Sequence, residues 1–167
     1  MDGAATQPRA VRSSQESRDA SGIGGVGFLL GLAHRARRRR WEASLADVGL
    51  TAPQAAVLRL VADEPGCGVR QLARRLGTDP MNVQRITDFL VAKGLCTSGR
   101  DLDDARRRPL RPTGRGEELA RDVAARARAA DEELVVLLGR GAYDELVDAL
   151  STLVAYDSDA GRRGERG

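Results

Sequence analysis

A chain of 167 residues, 41% apolar but only 3% aromatic, has room for one aliphatic core with helices appended to it. Two cysteines without CxxC spacing and a single histidine exclude an ordinary zinc site, and no apolar run approaches the ~18 residues of a membrane span. The net charge of +3 is unevenly placed: residues 51–113 hold 11 Arg or Lys against 7 acids, and residues 114–167 hold 8 against 12. A basic middle is expected of a nucleic-acid binder, with a plainly solvated surface as the other reading. Of the 27 cations only Lys93 is not Arg, which a GC-rich coding sequence explains better than phosphate binding does. The N-terminus lacks the basic-then-apolar pattern of a secretory signal, so a cytoplasmic, nucleoid-associated protein with reduced thiols is expected.

Residues 1–24 are polar and aperiodic and read as a disordered tail. From Phe28 to about Val48 the residues Leu29, Leu32, Ala36, Trp41, Leu45 and Val48 recur at helical steps around the run Arg35 to Arg40. Gly49-Leu50 breaks that helix. Thr51, Pro53 and Gln54 then make a helix start with a capping box, and Ala55, Leu58, Val61 and Ala62 give the helix a buried stripe. Asp63 to Gly66 is a turn. A short helix from Val69 to Leu76, buried through Leu72, Ala73 and Leu76, stops at Gly77. Asp79-Pro80 opens the next one, with Val83, Ile86 and Leu90 inward, and Lys93-Gly94 closes it. Two helices joined by a tight turn, the second presenting amides and cations, form a helix-turn-helix.

Beyond it, Leu95 to Thr97 and Pro109 to Arg111 are strand-like and flank an acidic turn whose exit carries Arg106, Arg107 and Arg108. A helix-turn-helix followed by such a hairpin is a winged helix, and Cys67 to Val69 is expected to add a third strand. Pro109 and Pro112 cannot donate to a ladder, so the returning strand should be short. Thr113 caps a long helix to about Leu138, Gly139 to Gly141 breaks it, and a last helix runs from Ala142 to about Ala155 with Leu146, Ala149, Leu150 and Leu153 as its stripe. The expected fold is mainly α with a small β-sheet.

In this order the motifs resemble the MarR family of bacterial winged-helix transcriptional regulators. The pieces are Gly49-Leu50-Thr51-x-x-Gln54, Leu72-Ala73-x-x-Leu76-Gly77, Val83-x-Arg85, Lys93-Gly94-Leu95, Asp104-Ala105-Arg106 as the wing signature, and Thr113-x-x-Gly116. The resemblance implies a homodimer whose first and last two helices interleave. It also implies a recognition helix in the major groove, a wing at the minor groove, and in many members release of DNA by a small-molecule ligand or by oxidation. The implied division is a tail over 1–24, a dimerisation helix over 25–50, a winged helix-turn-helix lobe over 51–113, C-terminal dimerisation helices over 114–156 and a flexible tail over 157–167. Near the start of the first helix there is no cysteine, where the organic-peroxide sensors of the family carry theirs.

Gln84 and Arg85 are the expected base readers, since Gln pairs bidentately with adenine and Arg with guanine. Asn82 suits a base or a phosphate, and Pro80 and Met81 suit thymine methyl or sugar. On the wing, Arg106 and Arg107 are assigned to DNA, Asp104 to orienting an arginine, and Arg100, Arg108 and Arg111 to phosphate or fold contacts. For Arg35 to Arg40, a solvated face with ion pairs across the dimer to Asp131, Glu132 and Glu133 is favoured over phosphate contact. His34 and Trp41 share a face of the first helix and are the candidate ligand-binding pair, although Trp as dimer core and His at its rim is the plainer reading. Phe89 is expected in the core. Cys67 and Cys96, placed on outer strands, would lie ~10 Å apart, too far for a disulfide. No arrangement for catalysis, metal or cofactor is present in the sequence. The expected partners are a pseudo-palindromic DNA duplex, a second copy of the chain and a small-molecule effector, with no membrane. The competing readings are a winged-helix module that binds an acidic protein, and a DNA binder that responds to no ligand.

Overall fold

The computed structural model describes residues 24–99 and 108–164, in two units divided between Ala43 and Ser44. Arg100, Asp104, Arg106 and Arg107 lie outside the described residues, as does the tail up to residue 23. In the first unit, helix α1 begins; it spans Val26–Ser44 and has no buried residue. Phe28, Leu29 and Leu32 are exposed on it, and Arg38 is paired to Glu42 one turn on at 2.8 Å.

The second unit opens with a 3-10 turn, Ala46–Val48, ended by Gly49 in the left-handed region at φ 66°. The first helix therefore stops at Ser44 and does not run on to Val48. The carbonyl of Ser44 accepts from Arg126, whose guanidinium also grips both Asp47 oxygens at 2.6 and 2.7 Å and bonds Asp122. The hydrogen bond from Arg126 holds the Asp47 carboxyl below its usual range. What that pair contributes to stability is therefore present above the ordinary carboxylate range and is lost as pH falls through the lowered value.

Helix α2, Ala52–Asp63, starts on the capping box expected of it: Thr51 N–H donates to Gln54 Oε1 at 2.9 Å and Gln54 N–H donates to Thr51 Oγ1. Ala55, Val57, Leu58 and Val61 are buried, with Ala62 only half-buried. Val57 falls outside a single stripe because α2 packs on three sides (the second helix of the helix-turn-helix, the returning strand and the long helix). Helix α3, Val69–Leu76, buries Leu72 and Ala73, leaves Leu76 half-buried, and ends on Gly77 at φ 58°. Helix α4, Pro80–Ala92, is capped by Asp79, whose Oδ1 accepts from Met81 N–H at 2.8 Å. It buries Val83, Ile86, Thr87 and Leu90.

Strands β1, Cys96–Ser98, and β2, Leu110–Pro112, pair antiparallel with Thr97 opposite Arg111. The expected third strand is not formed. Gly66 turns at φ 98° before the segment, Gly68 is extended but is already the N-cap of α3, and Val69 is its first residue, so too little chain is left for a strand. Only Leu110 is paired on that side, accepting from Gly66 N–H at 2.7 Å and donating to Cys67 O at 3.0 Å. The returning strand is three residues long, with Pro109 before it and Pro112 at its end.

Helix α5, Gly114–Leu138, packs along α2 through Ala120 and Val123. Gly139 separates it from α6, Arg140–Gly164, which is longer at both ends than the stretch 142–155 expected. The start of α5 is pressed against the exit of α4. Thr113 N–H and Oγ1 both donate to Leu95 O, Oγ1 also reaches Gly94 O at 2.8 Å, and Gly116 N–H donates to Thr113 Oγ1 at 3.1 Å. A Cβ on Gly116 would sit 2.9 Å from the Leu95 carbonyl carbon and closer still to its oxygen. Because the obstacle is backbone, Gly116→Ala is expected to lower stability by roughly 1–3 kcal/mol, read from urea denaturation. An unchanged midpoint would show that the two segments can separate at no cost.

Candidate nucleic-acid interface

The apolar side of α4 is consumed by the core, which turns the opposite side outward. Met81, Asn82, Gln84, Arg85 and Asp88 are all exposed, with Met81 65% accessible. Pro80 is exposed at the first helical position. The structure thus brings five of the sequence-predicted site residues, Pro80, Met81, Asn82, Gln84 and Arg85, onto the start and outer face of one helix. Thr87, the one buried polar residue among the described residues, donates its hydroxyl to Gln84 O at 2.9 Å and so braces this turn from within. Asn82 Nδ2 is 3.4 Å from Thr78 Oγ1, and Gln84 Nε2 donates to Asp88 Oδ1 at 2.8 Å. Phe89 is half-buried, not core, and lies under Lys93 Nζ at 5.6 Å from the ring centre.

Two residues of α3 join this surface that the sequence reading passed over. Arg70 and Arg74, both exposed and one turn apart, line a cavity of about 540 Å³ with Ala73, Gly77, Thr78 and Pro80. Their spacing of four in the sequence is the signal that puts both on one face of the short helix. Arg75, next to them, is occupied by Glu64 at 2.7 Å.

On the hairpin, Arg108 and Arg111 are exposed at the foot of the described strands, while the expected wing contacts Asp104, Arg106 and Arg107 lie outside the described residues. His34 is exposed and Trp41 half-buried on α1, in the other unit from the helix-turn-helix. Of the acids expected to meet the Arg35 to Arg40 run, Glu132 has Arg140 of its own protomer at 3.8 Å. Both thiols are free and buried. Burial pushes Cys67 up, helped by Glu64, and pushes Cys96 up to about 11, helped by Cys67, so neither is a thiolate at neutral pH. Cys67 stands at the end of the turn before α3, not on a strand. Among the described residues no cluster of His, Cys, Asp or Glu is suited to a metal, and no helix is long and apolar enough to cross a membrane.

Residues 50–107 match the sequence model of the MarR family. The chain is 29% identical over 113 residues to the HTH-type transcriptional repressor Rv2887 of Mycobacterium tuberculosis, covering 68% of this chain and 81% of that one. A structure of Rv2887 in complex with DNA superposes at a TM-score of 0.62 and 27% identity, covering 77% of this chain and 97% of the other. The transcriptional repressor CouR, solved on a 23-mer DNA duplex, superposes at 0.73 and 26% identity, covering 89% and 99%; its p-coumaroyl-CoA complex is assigned to Rhodococcus jostii RHA1.

Arg85 is exposed and has no ion-pair partner among the described residues. Arg85→Ala is expected to weaken specific duplex binding by roughly 1–3 kcal/mol and to relax one base position. A footprint and affinity equal to the unsubstituted protein would remove Arg85 from the interface.

Proposed function

We propose that this chain, which belongs to the MarR family of DNA-binding transcriptional regulators, works as a homodimeric repressor relieved by a small-molecule effector. The observation that carries the reading is the exposed face of α4, where amides and an arginine stand on a helix locked from behind by Val83, Ile86 and Leu90. In this reading α4 enters the major groove with Gln84 and Arg85 toward base edges and Asn82, Pro80 and Met81 at the groove wall. Arg70 and Arg74 take phosphates beside it. Arg106 and Arg107 carry the wing to the minor groove, with Asp104 orienting them.

The dimer is supported by apolar surface that a lone protomer leaves in water. On α5, Val136 and Leu137 are 85% and 76% exposed. On α6, Leu146, Leu150 and Leu153 form an exposed stripe at helical steps, with Val147, Val154 and Tyr156 beside it. Exposed large apolar side chains in such number on two helices support an interface there. Effector relief is supported by relatives alone: Rv2887 has been solved with salicylic acid and CouR with p-coumaroyl-CoA. His34 and Trp41 are the residues we assign to an effector, as a titratable ring and an aromatic wall on one helix.

Binding-site selection from random duplexes should return a pseudo-palindrome with half-sites ~10 bp apart. Leu150→Asp should convert the sedimenting species from dimer to monomer and abolish binding to that sequence. Recovery of a single, non-repeated half-site, or a dimer that survives the aspartate, would break this reading.

A further inference from the structure

We propose that Asp88 is a specificity-determining residue, acting through Gln84 to make it a reader of adenine. The inference rests on the reading of α4 as the base-contacting helix. On the outer side of α4, Asp88 lies one turn beyond both Gln84 and Arg85, four and three residues on, so it stands between their side chains. It takes the amide: Gln84 Nε2 donates to Asp88 Oδ1 at 2.8 Å. Among the described residues no ion pair joins Asp88 to Arg85.

The chemistry of the two groups fixes the direction of that bond. A glutamine amide has one oxygen acceptor and two N–H donors, whereas an ionised aspartate only accepts. Asp88 can therefore hold only the NH2 end of Gln84. The amide oxygen is turned away from the carboxylate, and one N–H is left over. In the major groove an outward oxygen needs a base donor, which adenine N6 and cytosine N4 supply; the spare N–H needs an acceptor, which adenine N7 supplies. Guanine and thymine offer acceptors at the corresponding edge, which the outward amide oxygen cannot pair with, so they can take only the one spare N–H and not the bidentate pair that adenine takes. A glutamine without this tether can turn its amide over and accept those bases. The carboxylate itself is a liability beside phosphates, so its removal should not weaken binding in general.

The test is the base preference at every operator position for the full-length protein and for Gln84→Ala, Asp88→Ala and Asp88→Glu, from selection on randomised duplexes. One position in each half-site should prefer adenine and lose that preference in Gln84→Ala. Asp88→Ala should lower the adenine-over-guanine and adenine-over-thymine ratios at that same position by roughly fivefold or more. Its preference at the Arg85-dependent position and its total affinity should be retained. Asp88→Glu keeps an acceptor-only group and should restore the adenine preference. Since Asp88 is exposed, each variant should melt with the unsubstituted protein. Asp88→Ala that tightens binding to all sequences alike, with no change of preference, would reduce Asp88 to a repelling charge and overturn the proposal. Guanine or thymine at the Gln84-dependent position would also overturn it, as would a Gln84→Ala profile identical to the parent's, while leaving operator binding intact. Recovery of no operator by the parent protein would instead bring down the reading of α4 itself, and this proposal with it.

Discussion

The rest of the structure hangs on the place where α5 starts against the exit of α4. There the chain leaves α4 through Gly94 in the left-handed region, at φ 67°, and turns into β1. Two consecutive carbonyls, of Gly94 and Leu95, are then capped by Thr113, which simultaneously caps α5 through Gly116 N–H. Gly116 has no side chain, so the first turn of α5 comes down onto the Leu95 backbone. One threonine hydroxyl and one missing methyl thus tie three elements together: the helix proposed to read DNA, the strand that leads to the wing, and the long helix whose far end carries exposed apolar surface. Any change in the direction of α5 is felt at the end of α4 through backbone, with no flexible side chain between them to absorb it.

Around that joint the surfaces divide by chemistry. The side of α2 to α4 that faces water is polar and cationic, with Arg70, Arg74, Gln84 and Arg85 within two adjoining helices. The end of α5 exposes Val136 and Leu137 and α6 exposes Leu146, Leu150 and Leu153, with the acids Asp144, Glu145 and Asp148 beside them. A cationic face suits a polyanion, and an apolar face flanked by charges suits a second copy of the same helices. The Arg126 clamp, which holds Asp47 and the Ser44 carbonyl, fixes where the chain enters this unit from the first helix.

Much of this was legible in the sequence because it is local. Thr51 with Gln54, Asp79 with Pro80, and Gly77 are stop and start signals whose chemistry needs no tertiary partner, and each forms the cap expected of it. The long-range features were not legible. Val57 is buried because α2 is surrounded on three sides, which a single-stripe pattern does not encode. The strand expected at Cys67 to Val69 gave way to the start of α3, since Gly68 caps a helix and Gly66 takes a positive φ. The first helix ends at Ser44, whose carbonyl accepts from Arg126, a partner far along the chain that local periodicity does not encode. On α4, Gln84 and Arg85 are exposed, as the inward positions Val83, Ile86 and Leu90 imply. Arg70 and Arg74 gain meaning only from the neighbouring helix, and the hydrogen bond from Gln84 to Asp88, though between residues four apart, is visible only once the side chains are placed.

In the proposed function the cationic helix-turn-helix face binds the backbone and bases of duplex DNA, and not an acidic protein surface. The affinity of the full-length protein for its selected duplex, measured across a salt series, tests this most directly. Several arginine–phosphate contacts predict a steep linear fall of log K with log salt, a loss on the order of a thousandfold between 50 and 200 mM for about six contacts. A shallow slope, or no duplex binding even at low salt, would contradict the account and favour a protein partner for the same surface.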